Sequence, residues 1–423
     1  MRIRISSWLP VLAVLLVAAA MPAAAEQFYV ANDGSPNNNG SRSRPWDLVT
    51  ALSHPRSVNP GDTIWLRGGR YNLDETVVSS LRGAAGSPIV VRQIPNERAT
   101  IDCVGVTQVR SGADCLLLKS RHTWYWGFEL TNTSPARWAA KPGAPADPRG
   151  IGIHSQAGPG TKLINLVVHD VGTTLFESQP SGIEITGLIA YNSGWDGPDR
   201  SHGPGFYIRN RSDWPTKLLR DNIVFQHYRQ ALQGYGSFNN VFSNFVVEGN
   251  LFFNNGIGAD GFHRNLMFGN TNTEHINNAF VGNHTYYPPG GAQGSNMFAA
   301  PEGGCHGLLL NGNVFAHGDR RTAIEVNRCR DIKIHSNTFY GKTILQTLDK
   351  SILSGKEFEK HFPTNRYLRT DKDLPLRPEV HVRMNPYERN RAHLIIYNWA
   401  EDCSVNVDVS QLKIPTGAHY ELR

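Results

Sequence analysis

The chain has 423 residues, of which 42 are Lys or Arg and 36 are Asp or Glu, so its formal net charge is +6 at pH 7. This mild balance comes without a block of Lys and Arg or a nucleic-acid-binding motif, which argues against nucleic acid as a partner. The length is enough for one large domain or two ordinary ones.

The first 25 residues have the pattern of a secretory signal peptide. Arg2 and Arg4 precede an apolar run over residues 8–21, and three alanines at 23–25 supply a cleavage site. The run is shorter than the ~20 residues that a membrane-spanning helix needs. We therefore expect cleavage after this segment and a secreted or periplasmic protein that does not bind a membrane.

The next segment predicts a cap on a stack of strands. Residues 46–52 suit a short amphipathic helix, and Pro60 and Gly61 form a turn that leads into an alternating strand. A stack of strands needs its open end covered, and a helix can cover it.

Residues 28–71 resemble a known family in the order FYVANDGSPNNNG, PW and VNPGDTIWLRGGRY. This order is similar to the opening of right-handed parallel β-helix proteins of the polysaccharide-lyase and chondroitinase B-like type, which have the pectin-lyase-like fold. Short strands at 88–92, 100–102, 115–118 and 124–132 continue the resemblance. It implies an all-β, right-handed parallel β-helix over residues 26–341, acting on an acidic polysaccharide by β-elimination or hydrolysis. The sequence lacks the NKS and DPHD motifs and the adjacent Asp pair of related enzymes, so the resemblance covers the fold and no known active site.

A repeat indicates the same solenoid independently of the resemblance. Strand-like units recur at intervals of roughly 20–35 residues, starting at Asn165, Leu188, Asn222, Asn250, Asn283, Asn313 and Asn337. Asn tolerates the left-handed backbone region and can bond a neighbouring backbone, so it suits a bend. We predict that these Asn side chains stack in a ladder. The long helices of a doubly wound α/β fold and the blades of a propeller are missing from residues 26–341.

A second family of strands supplies the candidate site. When these strands are aligned with Ile151, Phe206, Leu232 and Ile324 inward, two outward columns result. The first column consists of Gly152, Leu175, Tyr207, Gln233, Met267 and Glu325. The second consists of His154, Glu177, Arg209, Tyr235, Gly269 and Asn327. Neighbouring strands lie about 4.8 Å apart, so consecutive residues of a column can touch.

β-Elimination needs a group that neutralises a uronate, a base for the α-proton and a donor to the leaving oxygen. We predict that the catalytic residues are His202, Tyr207, Arg209 and Tyr235. The predicted substrate-binding residues are His154, Glu177, Arg229 and Glu325. The loop 194–204 is expected to form one wall of the groove. Glu325 is explained equally well as a solvated sheet residue or a salt-bridge partner, and Asp196 and Asp199 equally well as turn residues. His154 is explained better as a packed or solvated residue of the sheet.

Two alternatives to a lyase stay open. A glycoside hydrolase would use a carboxylate pair, and no pair is picked out among Asp196, Asp199, Glu177, Glu248 and Glu325 by spacing. A non-catalytic polysaccharide-binding or surface-assembly β-helix would need no acid or base at all. We predict no metal ligand set and no required cofactor, with Ca²⁺ at the Asp-rich loop left open. A monomer with a polysaccharide substrate is expected.

The repeat ends after residue 341. Residues 342–375 predict an irregular linker or cap with a helix around 352–361. Residues 376–423 predict an antiparallel β-unit with strands at 379–383, 393–399 and 404–409, and the segment YERNRAHLIIYNW resembles an element seen after such helices.

The five cysteines lack the Cys-x-x-Cys spacing of a zinc or redox site, and export permits disulfides. Cys103 and Cys115 flank a glycine-containing turn, and Cys305 and Cys329 lie about one repeat apart. We predict that both pairs are bridged and that Cys403 is free.

Overall fold

The computed structural model describes residues 25–423 except 107–112, 141–148, 237–241, 260–263, 271, 292–293, 301, 413–416, 418, 420 and 423. Residues 1–24 of the expected signal peptide lie outside the described residues. In the described part, no helix is long and apolar enough to cross a membrane.

The chain coils into a right-handed parallel β-helix, and each turn passes through three sheets, A, B and C, in that order. Strands are numbered in chain order. Sheet A contains β1 (Gln27–Val30), β2 (Thr63–Leu66), β5 (Ile89–Gln93), β8 (Thr123–Trp126), β11 (Thr161–Ile164), β14 (Ile183–Thr186), β19 (Lys217–Arg220), β22 (Phe245–Glu248), β25 (His275–Val281), β28 (Cys305–Asn311), β31 (Cys329–Arg330) and β32 (Lys333–His335).

Sheet B contains β3 (Gly69–Asn72), β6 (Ala99–Asp102), β9 (Glu129–Thr131), β12 (Val167–His169), β15 (Ile189–Tyr191), β20 (Ile223–Phe225), β23 (Leu251–Phe253), β26 (His284–Tyr287), β29 (Val314–His317), β33 (Thr338–Tyr340) and β36 (Arg366–Tyr367).

Sheet C contains β4 (Val77–Ser79), β7 (Asp114–Leu118), β10 (Ile151–Ser155), β13 (Leu175–Phe176), β18 (Phe206–Tyr207), β21 (Leu232–Gly236), β24 (Leu266–Asn270), β27 (Met297–Ala299), β30 (Thr322–Asn327), β34 (Lys342–Gln346) and β35 (Ile352–Ser354). Two antiparallel pairs lie outside the three sheets, namely β16 (Trp195–Asp196) with β17 (Ser201–His202) and β37 (Glu379–Met384) with β38 (Ala392–Tyr397).

The core is a stack of inward apolar side chains, one from each turn. In sheet C one such column is fully buried and consists of Ile153, Leu175, Phe206, Leu232, Leu266, Met297 and Ile324. Strands that are covered on their inner face and solvated on the outer face alternate in polarity. The predicted all-β solenoid is therefore confirmed.

The predicted ladder of Asn side chains is confirmed from Asn222 onward. Each amide Nδ2 donates to the Oδ1 of the Asn one turn further on at 2.8–2.9 Å, in the order Asn222, Asn250, Asn283, Asn313, Asn337 and Asn365. Asn165 is an exception, because the residue that aligns with Asn222 in its turn is Leu166. Asn165 is the residue before that ladder position. It occupies the left-handed bend itself, with φ of 51°.

Helices close both ends of the solenoid. At the start, α1 (Leu48–Leu52) is capped by Asp47, whose Oδ1 accepts from the backbone N–H of Thr50 at 2.7 Å. This confirms the predicted helix. At the other end, α2 (Gly355–His361) buries Phe358 against the core ring of Phe339. Two short 3₁₀ helices, Asp371–Asp373 and Ser410–Leu412, follow α2.

The part of the chain after residue 341 differs from the sequence-based prediction in three details. Parallel pairing continues past residue 341, because β34 pairs with β30 and β36 with β33. Residues 352–354 form a strand antiparallel to β34, so the predicted helix starts later. The β37–β38 hairpin is antiparallel as predicted, but residues 404–409 form no strand. Alternation alone could not show this, since that segment has no partner strand beside it.

The predicted disulfides are confirmed. Cys103 is bonded to Cys115 and Cys305 to Cys329, with Cα atoms 5.6 and 4.3 Å apart. Cys403 is free and exposed. The Cys103–Cys115 bridge joins the end of β6 to the start of β7 within one turn, and the Cys305–Cys329 bridge joins β28 to β31 on adjacent turns.

Three buried histidines and the half-buried His393 make stability depend on pH. Burial lowers the pKa to about 4 for His227, about 3 for His275, about 3 for His284 and about 4 for His393. These side chains are neutral in the folded state, whereas unfolded histidine has a pKa of about 6.5. Their contribution to stability is complete above pH 6.5 and is lost as the pH falls from there towards the folded values.

We therefore expect the protein to lose about 2 kcal/mol of unfolding free energy for each of these histidines between pH 7 and pH 5. Denaturant unfolding at pH 7, 6 and 5 measures this change. Carboxylates stay mostly ionised in that range, so they do not mask it. An unfolding free energy that is unchanged at pH 5 would contradict the buried, neutral state of these residues.

Candidate functional site

The outer face of sheet C carries one column of partly exposed side chains on consecutive strands. In register, the column consists of His154, Phe176, Tyr207, Gln233, Met267, Phe298 and Glu325. Neighbouring members lie one strand spacing apart, about 4.8 Å. The column forms a continuous strip along the solenoid axis, which we call the sheet C strip.

The predicted columns are correct in the middle of this strip and wrong at its start. Tyr207, Gln233, Met267 and Glu325 share a column as predicted. His154 takes the place that was predicted for Gly152, and Phe176 that of Leu175. The alternation of apolar and polar residues fits β10 equally well with Ile151 or with Ile153 in the inward column, because both are apolar. The structure places Ile153 in that column. The strand that carries Phe298 was not predicted.

Glu177 does not line the groove, so the prediction that it binds substrate is wrong. Leu175 points inward and Phe176 outward, which turns Glu177 back towards the interior, where it is fully buried. Its carboxylate oxygens lie 2.5 and 2.6 Å from Nζ of Lys217. One of them also accepts the backbone N–H of Arg209 at 2.8 Å. Glu177 is thus a structural anchor beneath the strip.

Lys217 was missed by sequence analysis, although a signal for it exists. It lies two residues before the buried Leu219 on β19, so its side chain points into the core, and only 1% of it is exposed. A lysine is almost never buried without an acidic partner. An inward Lys therefore predicts an inward Asp or Glu on a neighbouring turn.

His154 is held by a buried carboxylate. Its Nδ1 lies 2.8 Å from Oδ2 of Asp114, and its Nε2 lies 3.2 Å from Oγ of Ser178. The ring of Phe176 meets the His154 ring edge to face at 5.1 Å. The Asp114 contact fixes which nitrogen faces the surface, as required of a histidine that transfers protons. Neither Asp114 nor Ser178 was predicted.

Arg209 and Tyr207 form a second polar group on the same face. The guanidinium carbon of Arg209 lies 5.3 Å from the centre of the Tyr207 ring, which is a cation–π contact. Arg209 also donates from Nη1 to the carbonyl oxygen of Ser178. Ser178 therefore contacts both His154 and Arg209, and the two residues belong to one site.

His202 lies in the β16–β17 hairpin rather than among these residues. Its ring stacks on Trp195 at 5.0 Å, and its Nε2 lies 3.4 Å from Oδ1 of Asp199. Burial lowers the pKa of His202, and the nearby arginines Arg200 and Arg229 lower it further. A neutral imidazole is suited to accept a proton, but among the described contacts none joins His202 to Tyr207 or Arg209.

Of the other predicted residues, Glu325 is the last member of the strip, next to Phe298. The guanidinium of Arg264 lies over the ring of Phe298 at 4.2 Å. Burial lowers the pKa of Arg264, the negative charge of Glu325 opposes this shift, and the positive charge of Arg229 adds to it. For Tyr235 the structure describes the backbone, opposite Gly269, and not the side chain. Its predicted role stays a prediction.

In the Asp-rich loop, the carboxylate of Asp196 accepts hydrogen bonds from within the protein. Oδ1 of Asp196 accepts from Oγ of Ser201 at 2.5 Å and from the backbone N–H of Ala259 at 3.0 Å. Asp199 faces His202. Over the residues that the structure describes, no group of three or more His, Cys, Asp or Glu could hold a metal ion. We derive no step through a metal.

A second charged cluster lies on sheet B and is balanced internally. Nε2 of His169 lies 3.0 Å from Glu129, and Nδ1 lies 2.6 Å from Asp170. Arg98 pairs with Glu129, and Arg137 with Asp170. Burial alone would lower the pKa of His169, but the two carboxylates raise it above its usual value. Because these charges already compensate one another, the sheet C strip is the stronger candidate.

Comparisons with known proteins agree with the fold. The chain matches the family described as "Pel9A-like, right handed beta helix region" over residues 28–273, more than half of its length. No curated protein matches the sequence at a significant level. Among solved structures, the fold is similar to that of pectate lyase Pel9A, with a TM-score of 0.50 and 18% identity, covering 74% of this chain and 78% of that one. A rhamnogalacturonan lyase is similar with a TM-score of 0.51 and 16% identity, covering 72% and 76%. At these identities the likeness shows a common fold.

The buried Glu177–Lys217 pair predicts an asymmetric response to mutation. Lys217→Met leaves an uncompensated carboxylate in the core and should cost about 3–5 kcal/mol of unfolding free energy. The double variant Glu177→Gln/Lys217→Met removes both charges and keeps an acceptor for the Arg209 N–H. We expect it to recover most of that loss in denaturant unfolding. A double variant as unstable as the single one would show that the pair itself is not the source of the cost.

Proposed function

Because the chain belongs to the Pel9A-like right-handed β-helix family, we propose that it is an exported enzyme that cleaves an acidic, uronate-containing polysaccharide by β-elimination. The observation that carries the proposal is the grouping of Arg209, Tyr207 and His154 on one outer face, around Ser178. Two proteins with a similar fold are named as a pectate lyase and a rhamnogalacturonan lyase.

Arg209 is the group that neutralises the uronate. Elimination begins with loss of the proton next to the carboxylate, and a cation on that carboxylate stabilises the negative charge that develops. A guanidinium binds a carboxylate through two parallel hydrogen bonds, which also orients the sugar. Arg209 is only partly exposed, so its charge is less screened than that of a free surface arginine.

His154 is the base, and Tyr207 is the acid. Asp114 holds Nδ1 of His154, so Nε2 is the nitrogen that faces the groove. The hydroxyl of Tyr207, one turn beyond Phe176, can deliver a proton to the leaving oxygen. Phe176 separates the two rings, with centroid distances of 5.1 and 5.5 Å, so acid and base are two strand spacings apart. Both groups act on one uronate, which would lie over Phe176 with its α-proton towards His154 and its leaving oxygen towards Tyr207.

The strip also offers sites for neighbouring sugars. Arg264 lies over Phe298, three strands beyond Tyr207, which is about 14 Å further along the axis. A second arginine on the same line can bind another uronate of the same polymer. This arrangement favours an extended acidic chain over a short neutral sugar.

Hydrolysis is the second candidate, and the carboxylates argue against it. A glycoside hydrolase needs two carboxyl groups about 5–9.5 Å apart on either side of the bond. Within the sheet C strip Glu325 is the only described carboxylate, since Glu177 is buried with Lys217. A binding protein without activity would need none of the His154, Asp114 and Arg209 contacts.

A substrate screen with point variants tests the proposal. Purified protein is incubated with polygalacturonate, rhamnogalacturonan and alginate, and the ultraviolet absorbance of unsaturated uronate is followed. Arg209→Ala should lower kcat/KM about a hundredfold, or about 3 kcal/mol, by removing the contact that positions and neutralises the uronate. Tyr207→Phe should lower kcat by a similar factor.

Arg211→Ala is the matched control, because Arg211 is two residues away, exposed and paired with Asp213. It should keep the activity of the parent protein. New reducing ends without unsaturated product would identify a hydrolase instead, and binding without cleavage would identify a binding protein. An Arg209→Ala variant that is folded and fully active would place the site elsewhere.

A further inference from the structure

Three residues on consecutive turns of sheet C form a hydrogen-bonded chain. Oγ of Ser178 lies 3.2 Å from Nε2 of His154, and Nδ1 of His154 lies 2.8 Å from Oδ2 of Asp114. We propose that Ser178, His154 and Asp114 are a nucleophile–base–acid triad that hydrolyses O-acetyl esters on an acidic polysaccharide. The substrate class rests on the proposed function, whereas the ester chemistry is a separate activity of the same groove.

The order of the contacts is the one that nucleophilic catalysis needs. A serine hydroxyl is a weak nucleophile unless a base accepts its proton, and the base must be fixed by a third group on its other nitrogen. Such triads recur on unrelated folds and are recognised by geometry rather than by sequence order. Here the three residues come from β7, β10 and the turn after β13, in three successive turns of the solenoid.

Burial falls from the acid to the nucleophile. Asp114 is 3% exposed, the His154 side chain is 14% exposed, and Ser178 is partly exposed at the surface. Oδ1 of Asp114 is buried and has no hydrogen-bond partner among the described residues, so the carboxylate is directed mainly at His154. A buried carboxylate stabilises the imidazolium that forms when Ser178 gives up its proton.

Arg209 indicates which ester would bind. It donates to the backbone carbonyl oxygen of Ser178, so the guanidinium lies against the residue that carries the nucleophile. A free uronate carboxylate on Arg209 would bring an ester on a neighbouring hydroxyl of the same chain to Ser178. A methyl-esterified uronate has no charge for Arg209 to bind, so an acetyl ester on a charged sugar fits better. The guanidinium can also stabilise the oxyanion of the tetrahedral intermediate.

The reaction balances with water as the only co-substrate. Oγ of Ser178 attacks the acetyl carbon while its proton passes to Nε2 of His154. The intermediate collapses, the C–O bond to the sugar breaks, and the sugar oxygen takes that proton from His154. Water then attacks the acetyl-serine and gives one proton to His154. His154 passes this proton to Oγ as acetic acid leaves, and the acid ionises to acetate in solution. No oxidant, reductant or metal is involved.

The anchors below the site keep Ser178 in place. Glu177, the preceding residue, is fixed by Lys217 and by the backbone N–H of Arg209. Phe176 packs against the His154 ring and limits its rotation. These contacts hold the nucleophile and the base in one arrangement before substrate binds. The two side chains therefore lose little conformational entropy when the reaction begins.

The test measures ester hydrolysis and covalent labelling on the full mature chain. The parent protein should hydrolyse p-nitrophenyl acetate and release acetate from O-acetylated polygalacturonate. Ser178→Ala should lower both rates about a thousandfold or more. Asp114→Asn should lower kcat with little change in KM, because Asp114 orients His154 and does not touch the substrate. A fluorophosphonate should label the parent protein on the peptide that contains Ser178.

Ser212→Ala is the control, because Ser212 is an exposed serine outside the site. It should keep full ester hydrolysis and labelling. The proposal is overturned if the folded Ser178→Ala variant keeps the activity, if the label is found on another residue, or if the parent protein shows neither hydrolysis nor labelling. Release of methanol from a methyl-esterified polymer without release of acetate would overturn the assigned substrate class.

The two proposals fail separately. Elimination is measured on polygalacturonate that carries no ester, by the absorbance of the unsaturated product. Labelling of Ser178 and hydrolysis of p-nitrophenyl acetate need neither a uronate nor a glycosidic bond. Ester hydrolysis without elimination would therefore reject the lyase and keep the triad, and the opposite result would reject the triad and keep the lyase.

Discussion

From Asn222 onward, each turn of this solenoid makes the same bend between sheets A and B, and the buried asparagine ladder is the interaction that makes the bend repeatable. A bend leaves backbone groups without strand partners, and buried groups of this kind must be satisfied. Oδ1 of Asn250 accepts the backbone N–H of Asn222, and its Nδ2 donates to the carbonyl of Leu219. One amide thus replaces the missing partners and also bonds the next amide. The number of residues in a turn varies, and the ladder keeps the bends of successive turns directly above one another.

The ladder fixes the turns, and a buried ion pair fixes the site on them. The segment after β13 leaves sheet C without a long strand to hold it, yet it carries Ser178. Glu177 ties it to Lys217 on β19 and to the backbone of Arg209, so one carboxylate connects three parts of the chain. Removing two charges from water is costly, so the pair is weak evidence for stability, and we infer that its role here is to specify an arrangement. In this protein the arrangement includes both the nucleophile candidate and the guanidinium next to it.

The sequence predicts the repeating parts of this structure and fails where repetition stops. The ladder and the shared column of Tyr207 and Gln233 follow from patterns that recur from turn to turn, and the disulfides follow from the spacing of the cysteines. The register of β10 does not, because Gly152 separates two isoleucines and either could point inward. The contact of Asp114 with His154 spans forty residues of sequence and depends on that register, so it could not be predicted. Ser178 follows β13, which has two residues and is too short to show an alternating pattern, so the direction of the side chains after it could not be predicted.

In the described residues, the C-terminal hairpin lies against sheets A and B and leaves the strip on sheet C uncovered. Arg383 bonds Asp221 at 2.6 Å, and Asn385 bonds Asn165 at 2.7 Å, both at left-handed bend positions. Gly249 occupies the same row, and a Cβ there would lie 2.1 Å from the Arg383 guanidinium carbon. Glycine at this bend therefore serves both the left-handed backbone and the close approach of the hairpin. The hairpin therefore covers the left-handed bend between sheets A and B. The polar face with His154, Tyr207 and Arg209 belongs to sheet C, away from that bend.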